Sequence, residues 1–360
     1  METVIKKQIP NIAFFFLFAS EFTFYLLILQ TGIVEYHHSM MTEIWMVPVG
    51  GILGIIASVF LYKDRQWLIP FLLFLQFLLS LNYASANSIE LFFLGLISGL
   101  TAPMLIARID RFWVVVAALA LSYTYGTYYF DVPAIKRTDI ALFLSMIALF
   151  SSLFSQMKRV KKITTYISFY SAGSIFLWLL LDAALFETLS RDSLMSLWGD
   201  DTFTWNIIVF HIIGLLVAYK ARDWKHNHTF LLALFALTFT LYTLEFQGAL
   251  SIVYPFVISF YNVIILRALM RLPYVLLAMM ALSLWMASGL GLLVALSESF
   301  IIAWIILMVL AFIQLPRVIE IPSVKIMRTF FSFPIISFSK VYDFFISERP
   351  TINTNTKDTI

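Results

Sequence analysis

The chain of 360 residues contains no cysteine. That excludes a disulfide framework, a thiolate metal site and a cysteine nucleophile. Charge is scarce as well. Asp, Glu, Lys and Arg make up 12% of residues, where soluble domains carry about 25%. Hydrophobic residues make up 61%, and the mean hydropathy is +0.91. A water-soluble fold cannot hide this much apolar surface, so the surrounding solvent is lipid. Familiar catalytic signatures are missing: no zinc-peptidase His-Glu-x-x-His, no phosphate-binding Gly-rich loop, no serine-nucleophile elbow. Basic residues gather into no nucleic-acid patch. No enzymatic activity, cofactor, resident metal or nucleic-acid partner is therefore expected.

What is present is long apolar runs. A membrane span needs about 20 mainly apolar residues. Segments 9–31, 44–62, 67–86, 89–107, 111–130, 138–157, 163–187, 203–219, 228–247, 249–267, 272–295 and 298–315 meet that requirement. Lys6 and Lys7 precede the first run, which is longer than a signal-peptide core and has no clear cleavage site after it. It is expected to stay as the first helix. Twelve spans put both termini on one side. Of the 24 Lys and Arg residues, only Lys136, Arg137 and Arg191 then fall outside. Positive charge stays on the cytoplasmic side, so both termini are expected in the cytoplasm, in a bacterial inner membrane.

Two stretches repeat the pattern Tyr-Lys-x-Arg-x-Trp. They are Tyr62–Trp67 and Tyr219–Trp224, after the second and eighth spans. Equivalent positions in two halves point to a duplicated membrane unit. The basic loop Lys158-Arg159-Val160-Lys161-Lys162 divides the spans into six plus six. The expected fold is an all-α polytopic membrane protein, its 12 transmembrane helices forming two pseudo-symmetric six-helix bundles. The expected units are residues 1–157, a cytoplasmic linker at 158–162, residues 163–315, and a tail at 316–360. The tail mixes Phe330, Phe331, Ile335 and Phe338 with Lys340 and Asp343, and Pro334 interrupts it. It is expected to lie along the membrane surface as far as about 346, with a polar end beyond.

Six plus six spans, cytoplasmic termini and a basic central loop resemble the major facilitator superfamily over about residues 9–315. Members often carry Gly-x-x-x-Asp-Arg-x-Gly-Arg between spans two and three. Here Asp64-Arg65 matches, while Phe60 and Trp67 replace the two glycines. In the second half Arg222 and Asp223 stand in reversed order. The resemblance implies that Asp64, Arg65, Arg222 and Asp223 form a cytoplasmic gate. Ordinary positive-inside loops are the alternative. Span four offers Gly95-x-x-x-Gly99-x-x-x-Pro103, with small residues on one helix face. The Arg that the family often places near the outer end of this span is absent, and Glu90 is the one charge there.

Ionisable groups at membrane depth cost about 2.5–3.5 kcal/mol each, so each is a candidate for function. Glu21 lies near the middle of span one and suits a proton-coupling carboxylate, with a neutral Glu hydrogen-bonded between helices as the alternative. Asp182 lies in span seven, the counterpart of span one. His211 lies mid-span in helix eight, where a lone imidazole is a satisfied packing residue or, as the alternative, a proton relay. Asn206, Gln76, Asn82, Tyr261 and Asn262 line a polar path or act as interhelical hydrogen-bond glue. Tyr123, Tyr125, Tyr128 and Tyr129 form an interfacial belt or an aromatic wall facing a substrate. The first external loop holds His37, His38, Met40, Met41 and Glu43. It is expected to be a solvated loop, with copper capture as the alternative.

The leading expectation is a secondary active transporter of a small solute, proton-coupled and working as a monomer. Its partners are that solute, H⁺ and membrane lipids. The alternative is a membrane assembly factor, or an enzyme acting on a lipid-linked substrate. A polar cavity between two halves favours the first, and a solid bundle the second.

Overall fold

A computed structural model describes residues 2–30, 45–62, 67–155, 169–191, 195, 197–198, 201–221, 224, 226–297 and 300–318. Among these residues all regular secondary structure is helical. Twelve α-helices follow one another: α1 Glu2–Phe24, α2 Met46–Leu61, α3 Leu68–Ser80, α4 Ser88–Ile106, α5 Phe112–Tyr128, α6 Ala134–Phe154, α7 Phe169–Arg191, α8 Asp201–Lys220, α9 Asn227–Thr243, α10 Gln247–Leu269, α11 Tyr274–Leu296 and α12 Phe300–Val318. A π-helical stretch, Tyr25–Gln30, extends α1. Each α-helix overlaps one of the expected apolar segments. The central linker, the first external loop and the tail beyond residue 318 lie outside the described residues. The chain divides into two units, Met1–Gln314, which holds the bundle, and Leu315–Ile360.

Among the described residues, seven helical stretches are long and apolar enough to cross a membrane: Gln8–Gln30, Ser88–Ile106, Ile135–Phe154, Ser171–Ser190, Thr202–Lys220, Gln247–Leu269 and Tyr274–Leu296. The chain is thus a helical integral membrane protein. Its surface agrees: Phe60, Trp205 and Phe312 are 72%, 72% and 73% exposed, an arrangement that water would penalise and lipid welcomes. The other helices are shorter. Helix α3 has 13 residues, about 20 Å at 1.5 Å per residue. The expected span 67–86 stops early because the chain leaves the helix after Ser80 and makes a 3₁₀ turn at Tyr83–Ser85. It restarts at Asn87, whose side chain caps α4 by accepting from the Ile89 and Glu90 amides. Glu90 closes a capping box by accepting from the Asn87 amide at 2.8 Å. Glu90, the one charge near the start of α4, is therefore part of a helix cap.

Within the first six helices, α2 packs on α4, α1 on α5 and α6, and α3 on α4 and α6. Within the last six, α8 packs on α10, α7 on α11, and α9 on α10. Helix α5 meets α8, and α2 meets α11, between these sets. Lipid gives helices no hydrophobic drive to associate, so close van der Waals approach and hydrogen bonds must hold them. The α2–α4 pair shows how sequence supplies that approach. Gly95 and Gly99, one turn apart, face the α2 backbone at Val47 and Gly51. Gly50 and Gly54 face the α4 backbone at Phe92 and Leu96. A Cβ at any of these four would overlap main-chain atoms, which have no rotamer in which to move aside.

Gly95→Leu should therefore lower the thermal unfolding temperature in detergent, by about 1–3 kcal/mol of overpacking or more. Gly289→Ala is the control. Nothing lies within 4 Å of a Cβ there, so its melting temperature should be unchanged or higher. Equal melting of Gly95→Leu and wild type would contradict the α2–α4 contact.

Candidate functional site

A cavity of about 280 Å³ lies within the bundle. Its described lining comes from α1 and its π extension, α2, α4, α5, α7, α8, α10 and α11, with Phe130 and Trp198 from connecting segments. Helices α3, α6, α9 and α12 contribute none of it. Of the residues expected on a polar path, Glu21, Asp182, His211, Tyr261 and Asn262 line this cavity. Gln76 and Asn206 do not. Gln76 is buried on α3 and donates from Nε2 to Glu21 Oε1 at 2.8 Å, which fixes that carboxylate from behind. Asn206 lies on an exposed part of α8 and reaches Ser251 Oγ at 3.4 Å. Asn82 sits in the turn after α3, 3.5 Å from Glu90.

Asp182 is held by two tyrosines of α10. Tyr261 Oη donates to Oδ2, and Tyr254 Oη lies 3.0 Å from both Oδ1 and the Asp182 carbonyl oxygen. Tyr254 and Tyr261 are seven residues apart, two turns along one helix face. That spacing was the available sequence signal for Tyr254, which the sequence reading missed. Glu187, further along α7, is buried.

Four helices meet at Tyr123. Its ring stacks on His211 at 4.3 Å and 5° between planes, and Phe22 meets it edge-on at 5.7 Å. Its hydroxyl accepts from Asn262 Nδ2 at 2.7 Å. His211 Nδ1 lies 2.8 Å from Ser259 Oγ. Tyr123 is therefore an inward residue and not part of an interfacial belt, whereas Tyr128 is 67% exposed. No Lys or Arg occurs among the described lining residues, and neither Glu21 nor Asp182 has a cationic partner among them. Among the described residues no group of three His, Asp or Glu could hold a metal. The segment His37–Glu43, expected as an external loop, lies outside them.

The π-helical extension of α1 brings Tyr25, Leu26, Leu27 and Gln30 to the cavity. A π turn lengthens the hydrogen-bond step to five residues, and such turns recur at functional sites. Carbonyls displaced from the α ladder still need donors. Here Tyr83 Oη donates to the Ile28 carbonyl at 2.7 Å. The Arg137 guanidinium donates to the carbonyls of Leu27 at 2.7 Å, Phe130 at 2.8 Å and Val132 at 3.2 Å. Arg137 was counted among the outside charges, yet it is 3% exposed and works as a backbone clamp.

At the opposite end of α2 and α8, rings stack. Tyr62 lies on Tyr274 with centroids 3.4 Å apart, and Tyr219 on Phe112 at 6.1 Å. Arg108 Cζ sits 5.7 Å from the Tyr62 ring centre. Tyr62 and Tyr219 head the two Tyr-Lys-x-Arg-x-Trp stretches. The expected gate residues Asp64, Arg65, Arg222 and Asp223 lie outside the described residues. Compared with known proteins, the chain matches no family model and no curated protein.

Arg137→Met should orphan the Leu27, Phe130 and Val132 carbonyls, at about 1–3 kcal/mol for each buried group left unpaired. The melting temperature in detergent should fall clearly. Arg137→Lys should rescue only part of the loss, because the three N–H groups of an ammonium radiate from one atom and cannot span the carbonyls that Nε, Nη1 and Nη2 reach separately. A Met variant as stable as wild type would rule out the clamp.

Proposed function

We propose that this protein is a secondary active transporter resembling the major facilitator superfamily. It moves a small solute, coupled to protons, by alternating access between two six-helix halves. The observation that carries this reading is the cavity and the identity of the helices around it. Its helices from the first half are α1, α2, α4 and α5. Those from the second are α7, α8, α10 and α11, the same four moved by six places. The packing supports the same offset. Of the five packed pairs within the first half, α2–α4, α1–α5 and α3–α4 return as α8–α10, α7–α11 and α9–α10, and the joining pair α2–α11 exchanges with α5–α8. Two halves joined through two equivalent contacts can rock about a central site.

On this reading all twelve helices span, the shorter ones completed by flanking residues and a locally thinner bilayer. Both termini then face the cytoplasm of a bacterial inner membrane. The ring pairs Tyr62–Tyr274 and Tyr219–Phe112 join α2 to α11 and α8 to α5 at the cytoplasmic end, and they close the path there. The neighbouring Asp64, Arg65, Arg222 and Asp223 belong to the same gate. Glu21 and Asp182 come from the equivalent helices α1 and α7 and have no protein counter-charge, so a proton can neutralise either. His211, Tyr261 and Asn262 extend this polar lining, and Gln76 orients Glu21. All the described lining of the cavity comes from one chain, which supports a monomer. The cavity also favours transport over an assembly factor or a lipid-acting enzyme, for which a solid bundle or a large external loop would be the better frame.

Proteoliposomes with an imposed pH gradient test this. Adding a transported solute to one side should discharge the gradient when the wild-type protein is present, and Glu21→Gln should abolish that discharge. A Glu21→Gln protein that discharges the gradient as fast as wild type would remove Glu21 from the proton path.

A further inference from the structure

The described lining of the cavity has charge of one sign. Glu21 and Asp182 reach it from α1 and α7, and no Lys or Arg does. The one imidazole, His211, has its Nδ1 engaged by Ser259 and one ring face covered by Tyr123. Gln76 is the hydrogen-bond partner of Glu21 among the described residues, and it binds Oε1 alone. That leaves Oε2 without a donor and open to whatever fills the cavity. An ionised carboxylate at this depth needs compensation. The described protein groups supply hydroxyl and amide donors but no cation, so what neutralises the carboxylates is either a proton or the charge of an occupant.

The walls narrow the choice of occupant. Phe22 and Tyr123 meet edge to face at 5.7 Å, and Tyr25 and Trp285 lie 5.8 Å apart at 56°. All four line the cavity. Aromatic faces attract organic cations within about 6 Å of a ring centre, most strongly where water is excluded. They offer nothing to an anion, which would also meet two carboxylates. A bare metal ion would want several hard ligands converging, and no such group exists among the described residues. A polyol would want paired donors and acceptors over most of its surface, where these walls are mainly apolar. The volume of about 280 Å³ suits one small molecule.

We propose that the cavity binds a monovalent organic cation with an apolar, ring-bearing body. Its charge pairs with Glu21 and Asp182, and its body packs on Phe22, Tyr25, Tyr123 and Trp285. This deepens the transporter reading and rests on it for the claim that the cation is carried; binding itself does not depend on transport.

The test uses a cation that the cavity volume admits, benzyltrimethylammonium, and its uncharged isostere neopentylbenzene, with tetraphenylphosphonium and tetraphenylborate as larger ions of opposite charge. Equilibrium dialysis of labelled benzyltrimethylammonium against the purified full-length protein in detergent, with empty micelles subtracted, should show saturable binding. Unlabelled cation should compete for it, and neither neopentylbenzene nor the borate should. Glu21→Gln and Asp182→Asn should each weaken binding by about tenfold or more, as truncating one side of a desolvated charge pair does. Trp285→Leu should weaken it as well. The comparison of the cation with its isostere needs no variant, so a misfolded mutant does not spoil the result. Equal competition by neopentylbenzene or the borate, or absence of saturable benzyltrimethylammonium binding, overturns the proposal. So does wild-type affinity in a monodisperse Glu21→Gln/Asp182→Asn double variant. Cation binding without solute-driven proton flux would leave the site standing and sink the transporter reading. Proton flux driven by another solute, with no cation bound, would do the reverse.

Discussion

Inside a lipid-embedded bundle, every polar group must find its partner within the protein or in a ligand. That constraint organises this structure. Most buried side-chain hydroxyls answer it locally. Thr23, Ser80, Thr101 and Ser122 return their protons to carbonyls three or four residues back. Arg137 answers it at longer range, by closing the carbonyl ends that the π turn and the end of α5 leave open. Glu21 and Asp182 answer it only in part. Amide and hydroxyl donors steady them, but no cation faces them among the described residues. What the protein leaves uncompensated is where a proton or a ligand has work to do.

Packing and chemistry are coupled through the same helices. Glycines let α2 lie against α4, and Gly214 lets α8 lie against α10 at Phe256. Small residues also join α7 to α11, where Gly291 faces Ala183, one residue beyond Asp182. The tight pairs are thus the ones that carry or flank the cavity lining. The aromatic load is shared in a similar way. Phe60 and Phe312 face outward, where lipid covers them, while Phe22, Tyr123 and Trp285 turn inward.

Much of the architecture was legible in the sequence because apolar length and charge placement are one-dimensional signals. The segments 111–130 and 249–267 anticipate α5 and α10 to within two residues. The spacing of Gly95 and Gly99 announced a close helix contact, though not that α2 was the partner. Isolated carboxylates stand out in apolar runs, so Glu21 and Asp182 were visible. Their surroundings were not. Tyr123 sits in a cluster of tyrosines that reads as an interfacial belt, and only the turn of α5 decides that it faces inward. Asn206 and Gln76 are both polar groups in apolar helices, yet one lies on an exposed part of α8 and the other holds Glu21. Arg137 looks like a topology charge until its carbonyl partners are seen. A helical face can be computed from spacing, but which face meets which neighbour is a property of the whole bundle.

The central claim is that two equivalent halves rock about the cavity. Because the chain has no native cysteine, spin labels can be placed by introducing cysteine pairs alone. Trp67 with Trp224 reports the end that bears the repeated stretches, and Ser85 with Leu244 the opposite end; all four are exposed. Electron–electron distance measurements on both pairs, at acid and alkaline pH in lipid, should show one distance lengthening as the other shortens. Distances that stay fixed, or that change together in one sense, would contradict alternating access.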